Sequence, residues 1–133
     1  MIVADTNLVA YFLLPGQRSA EARTVFRKDP EWAAPLLWRS EFRNVLALYM
    51  RRSVLALGQA LEIMADAETL LGGREYSLPS EPIIRLAAGS ACSAYDCEFV
   101  ALAEELGVSL VTSDAKLLGE FARTAVSPAQ FVQ

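Results

Sequence analysis

Histidine is absent from the 133-residue chain. That absence removes Ser-His-Asp and Cys-His nucleophilic machinery, histidine general bases and histidine-bearing zinc sites together. Any hydrolytic chemistry has to lean on carboxylates, hydroxyls, Lys or Arg. Cysteine is scarce: Cys92 and Cys97 sit five apart, a spacing that fits no common zinc pattern and a count that suits a reducing, cytoplasmic setting. No apolar run approaches the roughly 18 residues of a membrane span. No basic stretch precedes the first apolar run, and Asp5 breaks that run early. Neither a signal peptide nor a membrane anchor is expected. Cationic excess is missing too, since 12 Lys and Arg stand against 16 Asp and Glu, for a net charge of −4 and a pI near 4.8. No global field gathers nucleic acid, although a local basic rim around an acidic site stays open.

What remains is apolar and ordered. A hydrophobic fraction of 53% and a mean hydropathy of +0.28 exclude disorder, and the length suits one domain spanning residues 1–133. Repeats, linkers and low-complexity tracts are absent. The chain reads as strands alternating with helices: a strand at Ile2–Ala4, a helix at Leu8–Leu14 stopped by Pro15-Gly16, and a helix that Ser19 could cap, running through Lys28. Trp32–Pro35 follows as a strand or its approach, then the clearest helix, Leu36–Arg52, whose closing arginines suit the negative end of its dipole. A helix at Gly58–Leu71, a strand at Glu75–Leu78, a helix opened by Ser80-Glu81-Pro82 and another at Tyr95–Leu106 come next. A strand at Val108–Thr112, a helix at Asp114–Ala122 and a short strand at Ala125-Val126 complete the pattern. This alternation predicts an α/β fold, a three-layer α/β/α domain with a mostly parallel sheet.

Four acids stand out against that frame. Asp5 and Asp114 each end an apolar strand and precede a helix, where ligands gather in open α/β sheets; each also reads as an ordinary helix cap. Glu41 falls on a helical face with Leu37, Trp38, Val45 and Leu48, and its near cations Arg39 and Arg43 are two residues away and point elsewhere. Asp96 continues into Phe99, Val100 and Ala103, while Glu98, Glu104 and Glu105 fall largely on the solvated side. Carboxylates converging without basic partners repel and raise one another's pKa, a penalty that a divalent cation reverses. An all-oxygen donor set without His or paired Cys favours Mg²⁺ or Mn²⁺ over zinc, and Mg²⁺ held this way most often serves phosphate chemistry.

Ile2-Val3-Ala4-Asp5-Thr6-Asn7, the lone Glu41 in a Leu-rich helix, Ser93-Ala94-Tyr95-Asp96 leading into Phe99-Val100-Ala101-Leu102-Ala103, and Leu110-Val111-Thr112-Ser113-Asp114 resemble the PIN-domain nucleases. Order and spacing fit over essentially the whole chain, and its small size is most similar to the toxin half of VapBC-type toxin–antitoxin pairs. The resemblance implies a Mg²⁺- or Mn²⁺-dependent endoribonuclease that leaves a 5′-phosphate and a 3′-hydroxyl. It implies an acidic quartet of Asp5, Glu41, Asp96 and Asp114 as metal ligands and catalytic groups, supported by Thr112, Ser113 and Asn7. It also implies an RNA substrate, a cognate antitoxin and a homodimer, and the cytoplasmic location expected from the cysteines agrees with these. Many members carry a further acid just after the fourth position, where this chain has Ala115-Lys116. Cys97 and Phe99 stand where Ala and Tyr are commoner, which reads as repacking. Arg18, Arg39 and Arg43 are candidate phosphate contacts, Trp38 a candidate base-stacking group, and the helices bearing Tyr49 and Met50 a candidate antitoxin surface.

Two other readings compete. A catalytically silent PIN-like module that binds RNA or protein would suit the acidic pI. A phosphotransfer or phosphatase domain would want a second Asp close after Asp5, or a suitably placed Lys, and Thr6-Asn7 supplies neither.

Overall fold

The computed structural model describes all of residues 1–133 and contains five strands and eight helices. In chain order these are β1 (Ile2–Ala4), α1 (Thr6–Leu13), α2 (Ser19–Lys28), β2 (Trp32–Pro35), α3 (Leu37–Arg51) and α4 (Leu57–Leu70). There follow β3 (Glu75–Tyr76), α5 (Ser80–Ala88), α6 (Ala94–Leu106), β4 (Leu110–Val111), α7 (Ala115–Glu120), β5 (Ala125–Val126) and α8 (Pro128–Val132). The strands form one sheet in the order β3-β2-β1-β4-β5, and every pairing is parallel. The expected α/β architecture is therefore present, and the sheet is wholly rather than mostly parallel.

Parallel strands covered on both faces read as unbroken apolar runs, because no side chain meets water. Ile2, Val3, Ala4, Trp32, Ala33, Ala34, Leu110 and Val111 are accordingly all at or below 1% exposure. Helices α1 to α4 pack on one another as one layer; α5 packs on α6, which lies against β1, β2 and β4. Gly107 ends α6 with φ +67°, a left-handed turn in which a Cβ would be strained.

Two sequence expectations are corrected and one element is added. Ser19 does not cap α2: that position belongs to Arg18, and the Ser19 hydroxyl instead accepts from Arg23 at 2.7 Å. The inner stripe of α3 is Trp38, Phe42 and Leu46, so Glu41 lies one position off it and Leu48 is exposed. Helix α8, capped by the Ser127 hydroxyl and opened by Pro128, has no counterpart in the sequence reading, being too short to show a period.

The strand order decides where a site can form. From β1 the chain moves outward through β2 to β3, then crosses back to β4 on the other side of β1. The carboxyl ends of β1 and β4 thus flank the point where the sheet changes direction, which is where open α/β sheets leave a crevice.

Candidate active site

Asp5 leaves β1 and Asp114 follows β4, so both reach that crevice. Asp5 caps α1, one carboxylate oxygen accepting from the Asn7 N–H at 3.0 Å. Its other oxygen accepts a short hydrogen bond from the Thr112 hydroxyl. Thr112 is fully buried, and the same hydroxyl accepts from the Asp114 N–H at 3.0 Å. One side chain therefore ties the first acid to the loop bearing the last. Asp114 caps α7 by accepting from the Leu117 N–H at 3.0 Å. Capping and site membership coexist, because each carboxylate has a second oxygen free of the cap.

The two helical acids arrive from opposite directions. Glu41, half-buried on α3, accepts from the Thr6 hydroxyl at 2.7 Å. Thr6, 4% exposed, opens α1 immediately after Asp5. Asp96 lies in the first turn of α6, where Ser93 is the cap and accepts the Asp96 N–H at 3.1 Å. Its own carboxylate takes no part in that cap. Asp5, Glu41, Asp96 and Asp114 line one cleft of about 130 Å³ together with Thr6, Asn7, Phe99 and Leu117. No Lys or Arg lines it.

The sequence pattern of the PIN domain matches residues 2–126. The chain belongs to the PIN-domain family. Over 123 residues it is 28% identical to Ribonuclease VapC3 of Pyrobaculum aerophilum, covering 90% of this chain and 94% of that one. Among solved structures, PAE2754 of Pyrobaculum aerophilum superimposes with a TM-score of 0.78 at 18% identity, over 98% of this chain and 85% of the other. A toxin–antitoxin complex from Klebsiella pneumoniae superimposes with a TM-score of 0.72 at 19% identity, over 96% of this chain and 98% of the other. These structural likenesses are of fold.

In this PIN domain the electrostatics of the cleft are unfavourable to negative charge. Burial pushes the Asp5 carboxyl above its ordinary range; the Thr112 hydroxyl and Asn7 amide pull against it, while Asp96 and Asp114 add to the rise. Burial raises Glu41 as well, opposed by Thr6 and reinforced by Asp5, Asp96 and Glu98. Asp96 is raised by burial and by Asp114, against the Ser93 bond and the charge of Lys116. Glu98 is itself raised by burial and close enough to act on Glu41, so it is not the ordinary solvated charge that its helical position suggested.

The donor set fits a hard divalent cation: carboxylates and hydroxyls in an anionic cleft that no Lys or Arg lines, with Lys116 alone acting on Asp96 from outside it. No three Asp, Glu or Cys side chains stand close enough together to hold one metal ion among them, however. The acids ring the cleft instead, an arrangement that suits Mg²⁺, which keeps several waters.

The remaining candidates divide. Ser113 does not orient a carboxylate; its hydroxyl accepts from Arg18 at 2.8 Å. The Asn7 side chain is exposed at the cleft, and its backbone N–H makes the bond to Asp5. Arg39 is no free rim cation. Its guanidinium forks onto Glu75 at 2.6 and 2.8 Å and also pairs with Glu68, joining α3 to β3 and α4. Trp38 is wholly buried and donates its indole N–H to Glu75 at 2.6 Å, so it is core and not a stacking platform. Arg43 is exposed. Cys97 and Phe99 are buried, as a repacking role requires. Thr6 is the site residue that sequence reasoning passed over; a hydroxyl at the first helical position after Asp5 was its signal.

Proposed function

We propose that this PIN domain is a Mg²⁺- or Mn²⁺-dependent endoribonuclease and the toxin of a toxin–antitoxin pair. The observation that carries the reading is that four carboxylates, with no Lys or Arg among the lining residues, face one cleft at the crevice between β1 and β4. Its family membership, and its likeness to a protein named as a ribonuclease, support RNA as the substrate class.

Asp5, Asp96 and Asp114 are assigned as ligands, with Glu41 ligating directly or through water. A bound divalent ion would neutralise charge on the phosphate and lower the pKa of water, the chemistry a His-free hydrolase needs from outside its side chains. The chain's own part is positioning. Thr112 fixes the Asp5 carboxylate and the Asp114 loop, and Thr6 fixes Glu41. The raised proton affinities of Asp5, Glu41 and Asp96 mark groups held where a cation is wanted.

An antitoxin partner is supported by the fold shared with a toxin–antitoxin complex, and a homodimer and a cytoplasmic location are inferred with it. The test uses partner-free protein on RNA with Mg²⁺ or Mn²⁺, with EDTA, and with Asp96→Asn. Endonucleolytic cleavage abolished by chelation and by the substitution is the expected result. Cleavage indifferent to both would defeat the metal-nuclease reading, and RNA binding with no cleavage under any metal would favour a silent binding module.

A further inference from the structure

An acidic nuclease faces an evident difficulty, because the cleft and the net charge of −4 both repel a polyanion. A local cation has to receive the strand, and several of the basic side chains are spent elsewhere. Arg39 is tied to Glu75 and Glu68, Arg85 to Glu81, Arg74 to the Trp32 and Leu70 carbonyls, and Lys28 to carbonyls of the carboxyl terminus. Arg18 differs. Its guanidinium lies 4.7 Å over the Tyr11 ring and donates to the Tyr11 hydroxyl at 3.3 Å. It also donates to Ser113 at 2.8 Å, beside Asp114, and reaches Glu21 at 3.3 Å.

Those contacts hold the guanidinium in place and leave it usable. Its side chain keeps 44% exposure, and the Glu21 contact is a long pair at the surface, which is weak and readily exchanged. Tyr11 sits one helical turn along α1 from Asn7, which lines the cleft. Arg18 therefore stands next to the metal-site loop on one side. On the other it borders a small recess of about 180 Å³ walled by Tyr11, Leu14 and Tyr49.

We infer that Arg18, held over Tyr11 and bonded to Ser113, is the subsite for a phosphate of single-stranded RNA flanking the one that is cut. The planar fork matches a phosphate's oxygens, and the strand would exchange the Glu21 contact for its own. Tyr11 and Tyr49 at the recess offer apolar surface to the neighbouring nucleotide. This inference rests on the ribonuclease reading of the cleft for its substrate.

The experiment measures binding, so that it does not depend on turnover. A fluorescent single-stranded RNA is titrated with the full chain in Ca²⁺ or EDTA over a range of salt, using wild type, Arg18→Ala, Arg18→Lys and Arg123→Ala. Arg123, exposed in the turn before β5 at the other end of the sheet, is the charge-matched control. Arg18→Ala is expected to weaken binding about tenfold and to lower the slope of log Kd against log salt by about 0.7, one phosphate contact on a single strand. Arg18→Lys should keep the slope and lose part of the affinity, and Arg123→Ala should change neither.

Weakened binding at unchanged slope would overturn the inference, since Arg18 would then act only by holding the Ser113 loop. So would an equal response to Arg123→Ala, or no binding of RNA by the wild type. The expected slope change in a protein that never cuts RNA would leave the subsite standing and remove the nuclease reading alone.

Discussion

Thr112→Val isolates the joint on which the cleft depends. The substitution preserves shape and burial while deleting the hydroxyl that donates to Asp5 and accepts from the Asp114 N–H. A hydrogen bond to a charged group contributes about 1.5–3 kcal/mol, and a stranded, half-buried N–H costs roughly 1–3 kcal/mol more. The second oxygen of Asp5 keeps its Asn7 bond and the cleft admits water, so the combined loss should fall near 2–4 kcal/mol. For 133 residues the unfolding entropy is about 0.28 kcal/mol/K, which converts that loss to a fall of about 7–14 °C in Tm. Thr112→Ser keeps both bonds and sheds one methyl, about 1 kcal/mol. Differential scanning calorimetry in EDTA separates the two, and metal-dependent RNA cleavage should fall with valine but survive serine. If valine melts within about 2 °C of wild type, or serine is as damaging as valine, the hydroxyl is not the joint described.

Other outcomes follow from the same geometry. Thr6→Val should cost about 1–2 kcal/mol by removing the Glu41 donor, and it should weaken Mn²⁺ binding measured calorimetrically with no change at the Asp5–Thr112 joint. Asp5, Glu41 and Asp96 all have folded pKa values raised above their unfolded ones, so the folded protein holds more protons between those values. Stability in EDTA should therefore fall as pH rises above the ordinary carboxylate range of about 4, and a Tm that only increases with pH there would contradict the burial argument. Mg²⁺ at about 100 times its Kd should restore about 2.7 kcal/mol, whereas Asp96→Asn should lose most of that increment while melting no lower than wild type in EDTA. Phe42→Ala, in the wholly buried stripe of α3, should cost about 3–5 kcal/mol by chemical denaturation; a cost under 1 kcal/mol would mean the stripe is wrongly placed.

Much of this molecule was legible in the chain by itself. Apolar runs ending in Asp5 and Asp114 marked strand ends, because a strand buried on both faces cannot include a polar residue before it emerges. The breaks at Pro15-Gly16 and Gly107 marked helix ends, and the absence of histidine with an excess of acid named an all-oxygen donor set. These are local properties, carried by backbone hydrogen bonding and by the short periods of helix and strand. Charge partnership is not local. Thr112 meets Asp5 across 107 positions, Ser113 meets Arg18 across 95, and Glu75 meets Arg39 across 36. Spacing along α3 put Arg39 and Arg43 in the same class, and tertiary packing separated them by bringing Glu68 and Glu75 to one and leaving the other exposed. Glu98 likewise read as solvated until the fold brought it near enough to Glu41 to act on it. The sheet order made the decisive choice, since a return from β3 to β4 beside β1 sets two distant strand ends and two helices around one crevice. The acids were written in the sequence; their common cleft exists only because the chain changes direction there.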